Sequence, residues 1–270
     1  MKSYLRHAVA AAVAALGSGL ASDLASAQRG PFSNAPGFGA PFQGKEQGAG
    51  LPGKFDYYAL VMSWSPSYCA GLVRGDYDPQ CHRRDGKRFS FILHGLWPQY
   101  EKGYPEYCPT RDRPFVPQSV IDRMQDIMPS PRLTIHEYKK HGTCSGFDPA
   151  GYYDMSRNLF AKVKIPPRYQ NPPAALFVSP AEVVQDFLAV NPAMKADMLA
   201  IACDPRSGNR LKEIRVCFSK NGDLRGCGRN EDQRRLCSAG KMYVPPVRLG
   251  APDAPAAPGA KPNPPGQRSL

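Results

Sequence analysis

Two short stretches of this chain hold most of its capacity for proton transfer. In His136-Glu137-Tyr138-Lys139-Lys140-His141-Gly142-Thr143-Cys144, two imidazoles, a carboxylate and two ammonium groups fall within six residues. Read as an α-helix up to Gly142 at about 100° per residue, the segment gathers His136, Glu137, Lys140 and His141 into an arc of about 140°, with Tyr138 and Lys139 pointing elsewhere. The second stretch, Phe89-Ser90-Phe91-Ile92-Leu93-His94-Gly95-Leu96-Trp97-Pro98, carries His94. An imidazole accepts or releases a proton near neutral pH, and a lysine stabilises an anion that builds on phosphorus or oxygen. A charged helical face is as often merely solvated. What favours chemistry is the placement of the five histidines: His7 lies in a segment expected to be removed, His82 stands alone and reads as a surface residue, and the other three occupy these two motifs.

Several chemistries fit poorly. A zinc protease uses His-Glu-x-x-His, with ligands four apart on one helix face. Here the histidines are five apart and diverge by about 140° on an α-helix. Serine hydrolysis needs a nucleophile elbow, which is missing. Two histidines and a lysine suit acid-base cleavage of a phosphodiester whose own 2′-hydroxyl attacks. One imidazole takes the hydroxyl proton, the other protonates the leaving 5′-oxygen, and the ammonium stabilises the phosphorane. That chemistry needs ribose, so RNA is the expected substrate and partner, with no metal and no cofactor. The formal charge of +12 agrees with a polyanionic partner, although basicity alone equally fits a nonspecific binder.

The remaining sequence must position these groups. Lys2 and Arg6 precede an Ala/Val/Leu run, and Ala25-Ser26-Ala27 supplies a small-x-small cleavage pattern, so residues 1–27 read as a secretory signal peptide. Export to a periplasm or the extracellular space is expected, with no membrane span after it. Residues 28–54 are rich in Gly, Pro, Ala, Gln and Asn and read as a flexible leader, and residues 250–270 as a disordered Pro/Ala-rich tail. Residues 55–249 then form one domain. Within it, Phe55–Trp64 and Phe89–Leu93 read as strands, Ser119–Met128 as a helix and Asp148 or Tyr152 to Val163 as another. Ser179-Pro180-Ala181-Glu182 is a capping box that opens a helix to about Val190. Strands near Met198–Ala202, Arg210–Ser219 and Met242–Val247 close the domain. Strands and helices do not alternate regularly, so the expected class is α+β: a central, mainly antiparallel sheet flanked by helices.

All eight cysteines, Cys69, Cys81, Cys108, Cys144, Cys203, Cys217, Cys227 and Cys237, fall in that domain. An even count in an exported chain predicts four disulfides. Eight cysteines allow 105 pairings. The turn signal Asn221-Gly222 brings Cys217 and Cys227 opposite each other to within one residue of register, and the other pairings stay open on this reading.

Taken together, Phe91-Ile92-Leu93-His94-Gly95-Leu96-Trp97-Pro98 and the His136–Cys144 segment closely resemble the two active-site segments of the ribonuclease T2 family. FDYYALVMSWSPSYC also resembles that family's opening strand, and the likeness runs in order through most of residues 55–247. The resemblance implies an α+β fold and a metal-independent secreted endoribonuclease working through a 2′,3′-cyclic phosphate. It implies His141 as general base and His94 as general acid. His136 would bind phosphate, Glu137 and Lys140 would assist the transition state, and Trp97 would stack on a base. It further implies the pairs Cys108–Cys144, Cys203–Cys237 and Cys217–Cys227, leaving Cys69 with Cys81. Where many relatives have Asp after Trp-Pro, this chain has Gln99, and Ser63 stands where plant members often have Gln. Broad base specificity is therefore expected, with Gln99, Tyr100 and Tyr104 as further substrate-binding candidates and Tyr107 beside them. No obligate protein partner is expected, and the protein is read as a monomer. Two other classes stay in view: a secreted RNA binder in which cleavage is immaterial, and a disulfide-stapled interaction module. Neither accounts for three histidines in two motifs.

Overall fold

The first element follows from its composition, since FDYYALVMSW is aromatic and apolar throughout and fits a strand buried on both faces. In the computed structural model of the chain, which describes residues 50–72, 77–83, 86 and 88–247, this is β1, Tyr57–Trp64. The signal peptide 1–27, most of the leader and the tail 250–270 lie outside the described residues. The last leader residues do not. Gly50 is buried, and the Gly53 N–H donates to the Cys144 carbonyl at 2.9 Å, so the chain docks on the fold before Phe55.

The elements after β1 are α1 (Ser65–Ala70), β2 (Phe91–Gln99), α2 (Gln118–Met124) and α3 (Pro131–Glu137). A π-helical turn, Tyr138–Gly142, leads into α4 (Thr143–Ser145) and α5 (Pro149–Lys162). Then come β3 (Leu176–Val178), α6 (Pro180–Val190), β4 (Leu199–Asp204), β5 (Arg210–Phe218), α7 (Gln233–Leu236) and β6 (Met242–Val244). The strands form one sheet in the order β2-β1-β5-β6-β3, with β4 on β5. Its pairings are antiparallel except for one parallel contact, Arg210 with Tyr243. The class is thus α+β with a mainly antiparallel sheet, as expected.

Successive residues of a strand point to opposite faces. Tyr58, Leu60, Met62 and Trp64 of β1 and Ile214, Val216 and Phe218 of β5 enter the main core. Tyr57, Ala59, Val61 and Cys217 turn to the other face and pack with Trp97 and Cys227 in a smaller cluster. The site is built on that second face.

The capping box of α6 is as read: Ser179 Oγ accepts from the Glu182 N–H at 3.1 Å, and Glu182 Oε2 accepts from the Ser179 N–H at 2.7 Å. Asp148 caps α5 through the Gly151 N–H at 2.8 Å. Several boundaries differ from expectation, β4 running to Asp204 and β6 stopping at Val244 among them. The strand expected at Phe89–Leu93 runs on to Gln99, because Gly95 and Pro98 are tolerated in an edge strand next to a bulge. Helix α2 ends at Met124 rather than Met128, and the Ile127 carbonyl beyond it accepts the Leu93 N–H at 2.8 Å. The chain returning from the Asn221-Gly222 turn makes one bridge, Phe218 with Leu224, and no strand, because the Cys227 N–H bonds the Asp197 carbonyl instead.

The four disulfides are Cys69–Cys81, Cys108–Cys144, Cys203–Cys237 and Cys217–Cys227. Cys108–Cys144 joins the loop after β2 to the end of the helical site segment, and the Tyr107 N–H reinforces that join by donating to the Lys140 carbonyl at 2.8 Å.

Candidate active site

His94 owes its position to a β-bulge. Along the β1–β2 ladder Val61 faces Gly95 and Met62 faces Leu93, so His94 has no partner of its own. A bulge re-aims the side chain that carries the extra residue. It also lets Leu93 and Leu96, three apart, both reach the main core, while Trp97 lands on the opposite face with Val61. The outer edge of the strand is closed by Tyr152 of α5, whose hydroxyl accepts from the Leu96 N–H at 3.2 Å and donates to the Leu96 carbonyl at 2.9 Å.

The second motif is helical, but not as one α-helix. After Glu137 the backbone widens into the π turn, where the Thr143 N–H reaches the Tyr138 carbonyl five residues back. Single π turns of this kind recur at functional sites. The common arc expected for an α-helix is therefore replaced by a split arrangement: Glu137 and His141 are buried, His136 is exposed, and Lys140 is half-buried. Lys140 Nζ lies 3.5 Å from Glu106 Oε2.

Glu137, His141 and His94 meet at one indole, whereas His136 and Lys140 make no hydrogen bond or ring contact with it. Trp97 Nε1 donates to Glu137 Oε2 at 2.7 Å. The His141 ring stacks on Trp97 at 5.0 Å, and the His94 ring meets it edge-on at 5.3 Å. Glu137 Oε1 lies 3.5 Å from His94 Nε2. Gly95 makes the approach possible, because a Cβ there would sit 2.0 Å from Glu137 Oε2 and 2.7 Å from Trp97 Nε1. A cleft of 500 Å³ opens beside this cluster, with His94 and His136 among its walls together with Ser63, Ile92, Arg132 and Leu133. His141 does not line it: it is 3% exposed, and its Nδ1 has no hydrogen-bond partner among the described residues.

The surroundings drive the two imidazoles apart. Burial alone would push His94 down, but Glu137 and Glu213 outweigh it and raise the ring from the ordinary histidine value to about 9. Burial dominates at His141. Glu137 opposes it, Lys140 and the other two imidazoles add to it, and the ring falls to about 3. Burial also pushes the Glu137 carboxyl up, yet both imidazoles and the indole N–H hold it below the ordinary carboxylate range.

The remaining candidates divide. Gln99 is 2% exposed, and its Oε1 accepts from Asn230 at 2.8 Å, so it braces the loop after β2 rather than facing solvent. Tyr100 is half-buried against the main core, whereas Tyr104 and Tyr107 are exposed. Trp97 is half-buried, and the Arg215 guanidinium stands 4.9 Å over its ring, so only part of the indole is left for a base. His82 is exposed, as read, and Trp64 is fully buried.

Sequence reasoning missed Glu213, which touches His94 Nδ1 at 3.6 Å, and Arg215. Their signal was weak. Two charged residues at alternate positions of a strand ordinarily mark its solvent face, and what covers that face is not written in the strand.

Known proteins agree with this architecture. The sequence model of the Ribonuclease T2 family matches residues 55–227. A ribonuclease of Aeromonas hydrophila is 36% identical over 214 residues, covering 77% of this chain and 90% of that protein. Ribonuclease I of Escherichia coli K12 is 28% identical over 204 residues, covering 61% of this chain and 67% of its own length. Among solved structures, a mutant of ribonuclease MC1 in complex with 5′-UMP superposes with a TM-score of 0.54 at 22% identity, covering 70% of this chain and 97% of that one. An RNase-related protein from Calystegia sepium does so with a TM-score of 0.54 at 18% identity, covering 72% and 98%. At those identities the structures speak for the fold alone. The matched segment carries both histidine motifs and the strand that opens the sheet, and on that extent of sequence the chain belongs to the ribonuclease T2 family of RNA-cleaving enzymes.

Proposed function

We propose that this endoribonuclease cleaves single-stranded RNA without a metal, by transphosphorylation through a 2′,3′-cyclic phosphate, with His141 as general base and His94 as general acid. The observation that carries the reading is the opposite displacement of two imidazoles set against one indole. Near neutral pH one is neutral and the other protonated, the states that a base and an acid need at the start of the reaction.

In the first step the neutral His141 takes the proton of the 2′-hydroxyl, and the oxygen attacks the adjacent phosphorus. His94 gives its proton to the departing 5′-oxygen, which leaves as an alcohol. The cationic Lys140 offsets the charge that builds on the phosphoryl oxygens. Glu137 steadies both imidazoles and the indole between them, and the exposed His136 on the cleft wall binds the phosphate. His141 is 3% exposed and stacked on Trp97, so its ring is uncovered only as the ribose binds, and substrate binding completes the geometry. Gln99, which stands where many relatives have Asp, is enclosed by Asn230 and does not face the cleft, and on that ground base specificity is read as broad. The signal-peptide pattern of residues 1–27 and the four disulfides support export to an oxidising compartment, and the protein is taken to act as a monomer.

The test is digestion of the sixteen dinucleoside phosphates by purified protein in excess chelator, with products identified by mass. Cyclic phosphates from most of the set are expected. Variants His94→Ala and His141→Ala should be folded and slower by roughly two to four orders of magnitude each. Cleavage of a substrate lacking the 2′-hydroxyl, or activity restored only by a divalent ion, refutes the mechanism.

A further inference from the structure

The acid in this scheme is gripped from the side away from its catalytic nitrogen. Ser63 of β1 and Glu213 of β5 are directly paired in the sheet and therefore project from the same face. Ser63 Oγ lies 3.1 Å from His94 Nδ1, within hydrogen-bond reach, and Glu213 Oε2 lies 3.6 Å from the same nitrogen. Glu213 is 1% exposed, does not line the cleft, and turns its carboxylate oxygens to Arg215 and His94 rather than to substrate. A carboxylate so deeply buried is retained only when its charge is matched. Arg215, two residues along the same face, supplies the match: its Nε and Nη2 donate to Glu213 Oε1 at 3.1 and 2.7 Å. The same guanidinium reaches Glu231 Oε1 at 3.4 Å, and Glu231 in turn accepts from the Tyr57 hydroxyl. Arg215 also stands over Trp97, so one cation anchors both the carboxylate behind the acid and the indole between acid and base.

We propose that Glu213, held by Arg215, is a positioning residue for His94: it fixes the imidazolium through Nδ1 and leaves Nε2 as the nitrogen that protonates the leaving oxygen. The proposal rests on the reading of His94 as the general acid. The charged groups facing His94 are Glu137 from α3 and Glu213 from β5, with His141 of the π turn beyond Trp97 and with Asp78, Arg132 and His136 around the shared cleft. Glu213 is the one whose contact lies on the Nδ1 side, and a carboxylate at that range favours the protonated ring by about 1–3 pH units.

The experiment is the pH dependence of kcat/KM in Glu213→Gln, together with NMR titration of the His94 ring. Removing the charge while keeping the shape should move the alkaline limb and the His94 titration down by about one unit or more. The acidic limb should stay in place, kcat should fall about tenfold or more, and KM should change little. Glu213→Asp should return the limb part of the way. Arg215 keeps Glu231 as a partner in the single variant; should Glu213→Gln nonetheless fail to fold, the shift is read from Glu213→Asp alone, which keeps the charge but draws it back from Nδ1 and predicts a smaller downward move of the same limb and of the His94 titration. A folded variant that loses activity equally at all pH values, with its limbs and the His94 titration unmoved, overturns the proposal and leaves Glu213 a structural ion-pair member. If His94→Ala keeps full activity, the acid assignment itself fails, a distinct result.

Discussion

Gly95→Ala tests whether the contact between Glu137 and Trp97 organises the site. Gly95 does not have a positive φ, so alanine meets no backbone objection and the effect is one of space. Its Cβ would lie 2.0 Å from Glu137 Oε2 and 2.9 Å from Glu137 Cδ. To regain van der Waals contact the carboxylate must withdraw by roughly 1–1.5 Å. That withdrawal breaks the 2.7 Å bond from the indole and loosens the 3.5 Å approach to His94. A hydrogen bond to a charged group contributes about 1.5–3 kcal/mol, which corresponds to roughly a 10- to 150-fold loss if it is felt in the transition state. Overpacking a buried site adds about 1–3 kcal/mol of destabilisation. The assay is steady-state cleavage of a dinucleoside phosphate, with circular dichroism and thermal unfolding to establish that the variant is folded. The expected outcome is a folded but less stable protein whose kcat has fallen within that range while KM is little changed. A soluble variant with kcat/KM within about twofold of the parent refutes the reasoning, since the clash would then have been absorbed without consequence.

Two more predictions follow from the same geometry. As a base His141 must be deprotonated, so activity is lost as pH falls through about 3. As an acid His94 must be protonated, so activity is lost as pH rises through about 9. The profile of kcat/KM should therefore be a broad plateau, and a narrow bell with both limbs near the ordinary histidine value of about 6.5 contradicts the assignment. Replacing Cys108 and Cys144 together by alanine opens a loop of sequence separation 36. The expected loss is about 4 kcal/mol by chain entropy, measured by denaturant unfolding, and a loss below about 1 kcal/mol would show that this bridge does little to hold the two motifs together.

Much of this protein is determined by local sequence. The order of aromatic and apolar residues makes Tyr57–Trp64 a strand, Ser179 and Glu182 start a helix, and eight cysteines behind a signal-peptide pattern predict bridges. The five residues proposed as catalytic, His94, His136, Glu137, Lys140 and His141, stand out for the same reason, since the two motifs that carry them are local. Tertiary structure decided what those residues experience. Whether His94 titrates high or His141 low depends on which carboxylates and how much water surround each ring, and Glu213 reaches His94 only because β5 pairs with β1 in one register. The bulge that aims His94, the π turn that buries His141 and the enclosure of Gln99 by Asn230 are likewise outcomes of packing between distant segments. Periodicity reads which side of a strand a residue takes, but the partner waiting there is set by the whole fold.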